Sequence, residues 1–438
     1  MQRCRHRSRS RSRDYSSGNF QKSKKYLRTL FLLSLKAKMH FLDLPVEMLM
    51  YIASFLPTSS IGSLAQTCQH LLDVTNIDAI WQQLCYRDYL VDSNDGWNLS
   101  FKEIYQKVLQ RCGFLGWKRL ALMPYGGLVY VAWGKGEIRV FRYRPGESTE
   151  DALQYRLIYS IQWNSESADL EVFCQQCEER AEPALLQGCQ SMTGPKYPVI
   201  WCATEDCHKK HLPFMRNQGS SQKEFKQGFE DHPDAFDRTF YEGYNCPMLP
   251  FPRWGEGDQA RSPVQLGLYA GNYGSHGVEI LHLSFSEVNP THLVGLKITG
   301  DSNVPAGYPS LTVFLDKPVV LTLADQESVF DILADDEARE PEAYVELLAP
   351  RQGAEGPDLR QPFAVPMDCF DRGAQYPSTC MGRYLGIGRI AATYYRRPAQ
   401  CRCHFIKFSD TKFAVLWLDL RSFSVFHKAK GLQADFKS

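Results

Sequence analysis

The chain has 438 residues, enough for two or three domains, and its 44% hydrophobic and 13% aromatic content excludes a largely disordered protein. The formal net charge of +1 excludes binding of nucleic acid through a positive charge spread over the whole molecule. The charge is uneven, because residues 1–38 hold twelve of the fifty Lys and Arg residues and one acidic residue, Asp14. The remainder therefore has 38 basic and 48 acidic residues and is mildly acidic.

The N-terminal segment has Arg at every second position from Arg3 to Arg13, with Ser between them from residue 8 onward, a pattern that cannot form a packed core. It predicts a disordered basic tail over residues 1–38, either a nuclear-targeting or RNA-binding arm or a tail without a specific role. The apolar run at residues 30–33 is short and is closed by Lys36 and Lys38, so we interpret it as non-secretory. Fourteen cysteines are too sparse for a disulfide scaffold, and no stretch is long enough to span a bilayer. We therefore expect a reducing compartment, the cytoplasm and the nucleus, and no membrane partner.

Residues 40–90 have the periodicity of three short helices. Pro45 and Glu47 suit a first helical turn, and Pro57 ends that helix. Apolar residues recur at three- and four-residue spacing in all three helices. Helices this short cannot bury so much apolar surface among themselves, which indicates a docking face for a partner. The alternative is a helical subdomain that packs on its own core or on the rest of the chain.

The order of Leu-Pro-x-Glu, an apolar face, a Cys and then a Trp resembles the F-box family. This resemblance implies that the segment docks on a Skp-type adaptor, which connects the chain to a cullin scaffold and a RING protein. The residues that match, and that we expect to contact the adaptor, are Leu44, Pro45, Glu47, Met48, Ile52, Leu56, Leu64, Cys68, Leu71 and Trp81.

The pattern changes from helical to strand-like near residue 117. Residues 91–116 are expected to form a helical linker, with a helix at 101–109 that ties the two parts rigidly together. Residues 127–133 and 137–143, separated by a Gly-Lys-Gly turn, predict a hairpin. The fold class is α+β, with a three-helix F-box-like segment followed by a mainly antiparallel β-barrel-like domain over residues 117–430. Further strands are predicted at 153–162, 278–285, 293–298, 311–315, 319–323, 404–408 and 413–420, with a helix near 222–241 and an acidic flexible insert at 325–360.

Four stretches of this β-rich part are similar to one F-box lineage, F-box only protein thirty-one. They are residues 124–128, 273–279, 297–307 and 415–424. The resemblance implies a substrate receptor whose β-barrel binds the C-terminal tails of client proteins, including a D-type cyclin.

Two of these stretches also have the chemistry of a peptide-binding site. Tyr273-Gly-Ser-His-Gly277 is a turn that lets backbone approach a ligand, and Thr299-Gly-Asp-Ser-Asn303 offers hydroxyl, carboxylate and amide groups. Asp301 suits an amide-type terminus, whereas a free carboxylate requires a cation beside it. In the alternative interpretation, Asp301 and Asn303 only cap a turn. The candidate client-binding residues are Tyr273, Ser275, His276, Lys297, Thr299, Asp301 and Asn303.

A Cys-x-x-Cys pair and a second Cys/His group about 25 residues further on have the spacing of a tetrahedral zinc site. The family resemblance implies a structural zinc here, and the candidate ligands are Cys174, Cys177, Cys202 and His208; Cys189 is an alternative to Cys177. Free cysteines in a reduced protein are the other interpretation. The Cys401-Arg-Cys403-His404 cluster is interpreted as structural.

These features favour a non-catalytic substrate-recognition subunit of a Skp–cullin–F-box E3 ubiquitin ligase. An RNA-associated protein acting through the Arg-Ser tail and the zinc site is the alternative, although the acidic body argues against nucleic acid. An enzyme built around His276, Glu279 and Asp301 has suitable residue types but no catalytic motif.

Overall fold

The fold is described by a computed structural model that covers residues 40–112, 114–120, 124–175, 182–189, 197–202, 246–251, 257–330, 359–370 and 375–432. For residues 182–189, 197–202, 246–247 and Ser275, the description is of the backbone alone. The predicted basic tail, the predicted helix near 222–241 and most of the acidic insert lie outside these residues. The chain divides into a helical unit, residues 40–93 with 99–105, and a barrel unit, residues 94–98 with 106–432.

Residues 40–90 form four α-helices where the sequence predicted three. The segment predicted to form the second helix forms two helices, because Cys68 is extended (φ −161°, ψ 163°) and starts a new helix instead of continuing the preceding one. Among the described residues, no helix is both long and apolar enough to cross a lipid bilayer. The four helices are α1 (Val46–Ser54), α2 (Thr58–Ala65), α3 (Gln69–Thr75) and α4 (Asp78–Tyr89).

The helix expected at 101–109 is confirmed and is slightly longer. It comprises α5 (Phe101–Glu103), a π-helical segment (Ile104–Leu109) and α6 (Gln110–Cys112). Ser100 and Glu103 form a capping box, in which the Ser100 Oγ accepts from the Glu103 amide and the Glu103 carboxylate accepts from the Ser100 amide. Residues 99–105 belong to the helical unit and residues from 106 onward to the barrel unit.

The barrel unit contains two closed eight-stranded barrels, each with strands in chain order and antiparallel neighbours. The predicted hairpin on either side of the Gly134-Lys-Gly136 turn is confirmed, with the Gly134 amide donating to the Glu137 carbonyl across the turn (2.9 Å). The first barrel is made of β1 (Gly116–Leu120), β2 (Leu128–Trp133), β3 (Glu137–Arg144), β4 (Gln154–Asn164), β5 (Asp169–Cys174), β6 (Glu182–Cys189), β7 (Tyr197–Cys202) and β8 (Cys246–Leu249).

The second barrel follows a short helix, α7 (Asp258–Arg261). It is closed by pairing of its last strand with its first, and a small two-stranded sheet is an insertion in it. Its elements are β9 (Gly267–Asn272), β10 (Val278–Phe285), β11 (His292–Lys297), β12 (Pro309–Pro318), α8 (Leu323–Glu327), β13 (Gln361–Pro362), β14 (Thr379–Cys380), β15 (Gly382–Ala392), β16 (Arg396–Ser409), β17 (Lys412–Trp417) and β18 (Ser422–Lys428).

The strand predicted at residues 319–323 is wrong. β12 ends at Pro318, and a capping box between Thr322 and Asp325 starts α8. Val, Leu and Thr in a short run carry β propensity, but the cap satisfies the first amides of a helix and decides the local structure.

β9 and β17 are buried on both faces, which explains their nearly continuous apolar sequences. Phe405, Phe413 and Phe426 stack inside the barrel, with 4.7 Å between successive ring centroids. The alternate residues Ile406 and Leu416 face a second apolar cluster that includes Val329 and Phe330, which follow α8, and Phe363, which follows β13.

The two barrels meet at a tight loop-to-loop junction. The Pro124 carbonyl accepts from the Ala306 amide (2.7 Å), and the Tyr125 carbonyl accepts from the Gly300 amide (3.1 Å). Gly126 has φ +58°, and a Cβ on Gly300 would lie 2.1 Å from the Ala306 nitrogen. Both glycines are therefore required for this approach, and the junction fixes the loop that carries Asp301.

We expect Gly300→Ala to destabilise the barrel unit by about 3 kcal/mol, because the added methyl group must push apart two backbone segments. Gly62→Ala is the matched control, since its Cβ would meet no atom within 4 Å and Ala favours a helix interior by about 0.5–1 kcal/mol. Urea unfolding curves measure both variants. Equal and small changes for the two would contradict the proposed junction.

Candidate functional site

The first α-helix presents an apolar face to solvent. Phe55 is 65% exposed and packs edge-to-face on Tyr51, with ring centroids 4.8 Å apart. Phe41 and Val46 are also exposed. Of the predicted adaptor-binding residues, eight are exposed or partly exposed: Leu44, Pro45, Glu47, Met48, Ile52, Leu56, Leu64 and Cys68.

The other two predicted adaptor-binding residues, Leu71 and Trp81, are buried inside the helical unit. Trp81 is 4% exposed, its Nε1 donates to the Thr75 carbonyl (2.8 Å), and its ring meets Tyr105 edge-to-face at 5.4 Å. In this structure, Leu71 and Trp81 hold the helices together and do not form part of the exposed face. Helical periodicity could not separate them from the exposed residues, because core and docking positions are both apolar.

A cavity of about 320 Å³ lies in the second barrel, which we call the barrel cavity. Five of the seven predicted client-binding residues line it: Tyr273, His276, Lys297, Asp301 and Asn303. Thr299 does not; its Oγ1 accepts from the Ile280 amide (2.7 Å) and so stabilises the loop. The side chain of Ser275 lies outside the described part of the structure.

Lys297 is the centre of the polar base of the cavity. Its side chain is 2% exposed, and its Nζ lies 2.6 Å from Glu279 Oε2 and 2.5 Å from Asp301 Oδ2. The same ammonium lies 4.5 Å from the Tyr273 ring centroid. The two glycine-containing stretches of the sequence, 273–279 and 297–307, therefore converge on one buried cation.

The two carboxyl groups beside Lys297 have opposite pKa shifts. Burial raises the pKa of Glu279 from 4.5 to about 8, against the lowering effect of Lys297 and with a further rise from Asp301. Burial also favours neutral Asp301, but the Lys297 charge and the amides of Val304 and Asn303 outweigh it and lower the pKa of Asp301. Burial thus favours the protonated form of Glu279, and ionised Asp301 balances the charge of Lys297.

Asp301 both caps its loop and lines the cavity. Its Oδ1 accepts from the amides of Asn303 (2.6 Å) and Val304 (2.7 Å), while Oδ2 faces Lys297. Asp301 therefore caps a turn, as the alternative interpretation expected. The same side chain also contributes negative charge to the cavity wall.

The rest of the wall includes groups that the sequence analysis did not select. Trp417 Nε1 donates to Ser424 Oγ (2.9 Å), and Ser310 Oγ lies 3.1 Å from the Tyr273 hydroxyl. Arg389 also lines the cavity. Trp417 and Ser424 lie in the stretch 415–424 that carries part of the family resemblance, whereas Ser310 and Arg389 had no sequence signal. An apolar wall above a polar base suits the end of an extended peptide.

The predicted zinc ligands are only partly described. Cys174 is buried at the end of β5, and Cys202 ends β7, two strands away in the first barrel. Cys177 and His208 lie outside the described residues. Within those that are described, no group of three or more His, Cys, Asp or Glu side chains could hold a metal. Zinc therefore stays a prediction. Cys401 and Cys403 are buried in the second barrel, in agreement with their structural interpretation.

Comparisons with known proteins agree with this division of the chain. Residues 41–87 match the family model described as F-box-like, which coincides with α1 to α4. Residues 254–431 match the model described as Cyclin D1 binding domain, which contains the second barrel and every residue lining the cavity. Neither is a model of a catalytic family. The chain therefore carries an F-box-like domain followed by strands that form barrels.

The homologues of the chain include F-box only protein 31. The mouse protein is 26% identical over 458 residues, which is 92% of this chain and 86% of the relative. The human protein is 24% identical over 474 residues, covering 91% and 84%. F-box only protein 31-A of Xenopus laevis is 26% identical over 449 residues, covering 88% and 84%. This similarity extends over both units and confirms the resemblance to F-box only protein 31 that the sequence motifs indicated.

The raised pKa of Glu279 predicts a pH dependence of stability. The stabilising contribution is fully present below pH 4.5 and is lost as the pH rises through about 8, because the folded state holds the proton more tightly than the unfolded chain. We expect the wild type to lose more stability between pH 5.5 and pH 8.5 than Glu279→Gln does, measured by urea unfolding. Other titrating groups are shared by the two proteins and cancel in the comparison.

Glu287→Gln is the control, because Glu287 is exposed in the same barrel. The same pH slope in wild type, Glu279→Gln and Glu287→Gln would show that Glu279 does not titrate in this range.

Proposed function

We propose that the chain is the substrate-recognition subunit of a Skp–cullin–F-box E3 ubiquitin ligase. In this role, α1 and the residues around it dock on a Skp-type adaptor, which links the chain to a cullin scaffold and a RING protein. The observation that carries the proposal is the coincidence of the F-box-like match with an exposed apolar helix face. A face of this kind is stabilised by burial against a partner.

The barrel cavity is the proposed client site. It lies within the region that matches the Cyclin D1 binding domain, which supports a D-type cyclin as one client. The cavity suits the end of a client chain, because a chain end can enter a concave site while the rest of the client protein stays outside. Apolar contacts come from Val304, Ile390 and Trp417, and the polar base comes from Asp301 and its neighbours.

The proposed receptor performs no chemistry itself. It raises the effective concentration of a client lysine near a charged conjugating enzyme, so that the client is ubiquitinated and degraded by the proteasome. We place this activity in the cytoplasm and the nucleus. The RNA-associated alternative depends on residues 1–38 and on the zinc segment, which lie wholly or partly outside the described residues.

The adaptor assignment predicts that the double variant Leu44→Ala with Pro45→Ala loses co-purification of the Skp-type adaptor. Both side chains lie at the start of α1 beside the exposed face, and truncating contact residues of this kind costs about 1–2 kcal/mol each. Val288→Ala is the control, because Val288 is an apolar residue that is 94% exposed in the second barrel. Adaptor binding that survives the double variant would refute the docking face.

The client assignment predicts that Asp301→Asn loses a discrete set of clients while adaptor binding is unchanged. The substitution keeps the size of the side chain but removes the charge that balances Lys297. Clients are captured from cells in which the proteasome is inhibited and are identified by mass spectrometry.

Asp316→Asn makes the same chemical change at an exposed position of β12 and serves as the control. Identical client sets for the wild type and both variants would place the client site elsewhere.

A further inference from the structure

The loop between β3 and β4, residues 145–153, carries a hydroxyl group that contacts an imidazole of the second barrel. Thr149 Oγ1 lies 2.9 Å from Nδ1 of His427 on β18. The next residue, Glu150, places its Oε1 atom 3.2 Å from Nε2 of the same ring. One histidine of the second barrel therefore contacts two consecutive side chains of the first barrel.

Two lysines accompany His427 on the second-barrel side of this contact. Lys412 on β17 is the cross-strand partner of His427, so both side chains lie on the same face of the sheet. Lys430 Nζ donates to the Glu150 carbonyl (3.1 Å), and the Lys430 carbonyl accepts from the Leu153 amide (2.9 Å). The second-barrel side of the contact thus provides two ammonium groups and an imidazole.

The surroundings of His427 favour the neutral imidazole. Burial lowers the pKa of His427, and the charges of Lys412 and Lys430 lower it further, against the raising effect of Glu150. A dianion beside the ring would reverse this balance, because it stabilises both the imidazolium and the two ammonium groups. The titration of His427 would therefore report a phosphate bound at this contact.

The turn that directs Thr149 toward His427 is closed by Asp151. The Oδ2 atom of Asp151 accepts from the Ser148 amide (2.7 Å), and the Asp151 amide donates to the Ser148 carbonyl (3.2 Å). Gly146 packs so closely on this residue that an added Cβ would lie 2.5 Å from the Asp151 Cβ. The backbone of the loop therefore fixes the direction of the Thr149 side chain.

The loop also has the sequence of a segment that an acidophilic serine/threonine kinase recognises. Acidic residues flank its two hydroxyl residues at Glu147, Glu150 and Asp151, and residues 147, 148 and 150 are exposed. Such a run complements a basic substrate groove. The two hydroxyl groups differ in their contacts, because Ser148 Oγ accepts from the Glu150 amide within the loop (3.2 Å), whereas Thr149 contacts the second barrel.

We propose that Thr149 is a phosphorylation site whose phosphate binds the cationic groups of the second barrel. In the transfer from ATP, the Thr149 oxygen forms a bond to the γ-phosphorus, and the bond from that phosphorus to the bridging oxygen breaks. ADP leaves, and the hydroxyl proton passes to a base of the kinase. The product carries about two negative charges and three acceptor oxygens, which suit His427, Lys412 and Lys430. Phosphorylation thereby fastens the first barrel to the second.

The carboxylates of the loop oppose the added phosphate, but the nearest of them is far more exposed than the imidazole. The Glu150 side chain is 62% exposed, whereas that of His427 is 15% exposed. Water and salt therefore screen the repulsion from Glu150 more strongly than the attraction to His427. The cations of the second barrel decide the sign of the effect.

The first test locates the modification. The full-length protein is incubated with cell extract, ATP and phosphatase inhibitors, and its phosphorylated positions are mapped by mass spectrometry. We expect phosphate on Thr149, its loss in Thr149→Val and its retention in Ser148→Ala. Phosphate on Ser148 alone, or on neither residue, would overturn the proposed site.

The second test measures what the phosphate does. Phosphothreonine is incorporated at position 149 during translation, and the thermal unfolding midpoint is compared with that of the unmodified protein. We expect an increase of about 2 °C, as a few charge-assisted contacts would give. Combining Lys412→Gln with Lys430→Gln should abolish the increase, with the unmodified form of the same variant as reference. Each single lysine variant replaces the pair if the pair does not fold.

Phosphoserine at position 148 is the matched control, because it adds the same charge to the same loop at a hydroxyl that faces the loop itself. It should not raise the unfolding midpoint. NMR of the protein with labelled histidines gives a second measurement, and His427→Gln assigns the signal. The pKa of His427 should rise when Thr149 is phosphorylated and not when Ser148 is, which a general change in stability would not produce.

The proposed binding of the phosphate is overturned if phosphothreonine at position 149 leaves the unfolding midpoint unchanged, lowers it or prevents folding. It is also overturned if the pKa of His427 does not rise. An increase in the midpoint that persists in the lysine variants would have the same consequence, because the phosphate would then act through other groups.

Discussion

The buried ammonium of Lys297 is the interaction on which the barrel cavity depends. A lone ammonium removed from water costs several kcal/mol, so it must be surrounded by acceptors, and Glu279 and Asp301 supply them. Tyr273 covers the same cation with its ring. This requirement brings β9, β10 and β11, with the loop that follows, to one point and fixes the base of the cavity. Burial favours the neutral form of Glu279, and Asp301 supplies the negative charge that balances the ammonium, which makes the burial tolerable.

The sequence predicted those parts of the site whose residues lie close together along the chain. Glycine-containing loops with clustered polar residues indicated Tyr273, His276, Asp301 and Asn303, and the structure brings all four to the cavity. The sequence did not indicate Arg389, because a single arginine in a strand has no distinguishing pattern. It reaches the site through the pairing of β15 with β12, which joins residues about seventy-five positions apart. Thr299 was selected on chemistry alone, but its hydroxyl satisfies a backbone amide of its own barrel.

The helices also show which structural features the sequence pattern could predict and which it could not. The spacing of apolar residues predicted where helices form, and proline and capping residues predicted most of the ends. The break at Cys68 was not predicted, because the apolar spacing continues through it. Periodicity also could not assign Trp81 to the interior and Phe55 to the surface, since both are large apolar residues at helical spacing. That distinction depends on which helices pack together, a property of the folded unit.

The junction between the barrels extends the constraint on the site beyond the residues that line it. The loop that carries Asp301 is bounded on one side by Pro124 and Tyr125 of the first barrel and on the other by the β15–β16 turn, whose Tyr395 hydroxyl accepts from Arg389. The acidic and basic groups of the cavity are therefore held by a single connected set of backbone hydrogen bonds. A ligand that contacts both must match their fixed separation, so the fold itself contributes to selectivity. Because interiors are close-packed, a shift at the junction, at Gly126 of the first barrel or Gly300 of the second, is transmitted to the cavity.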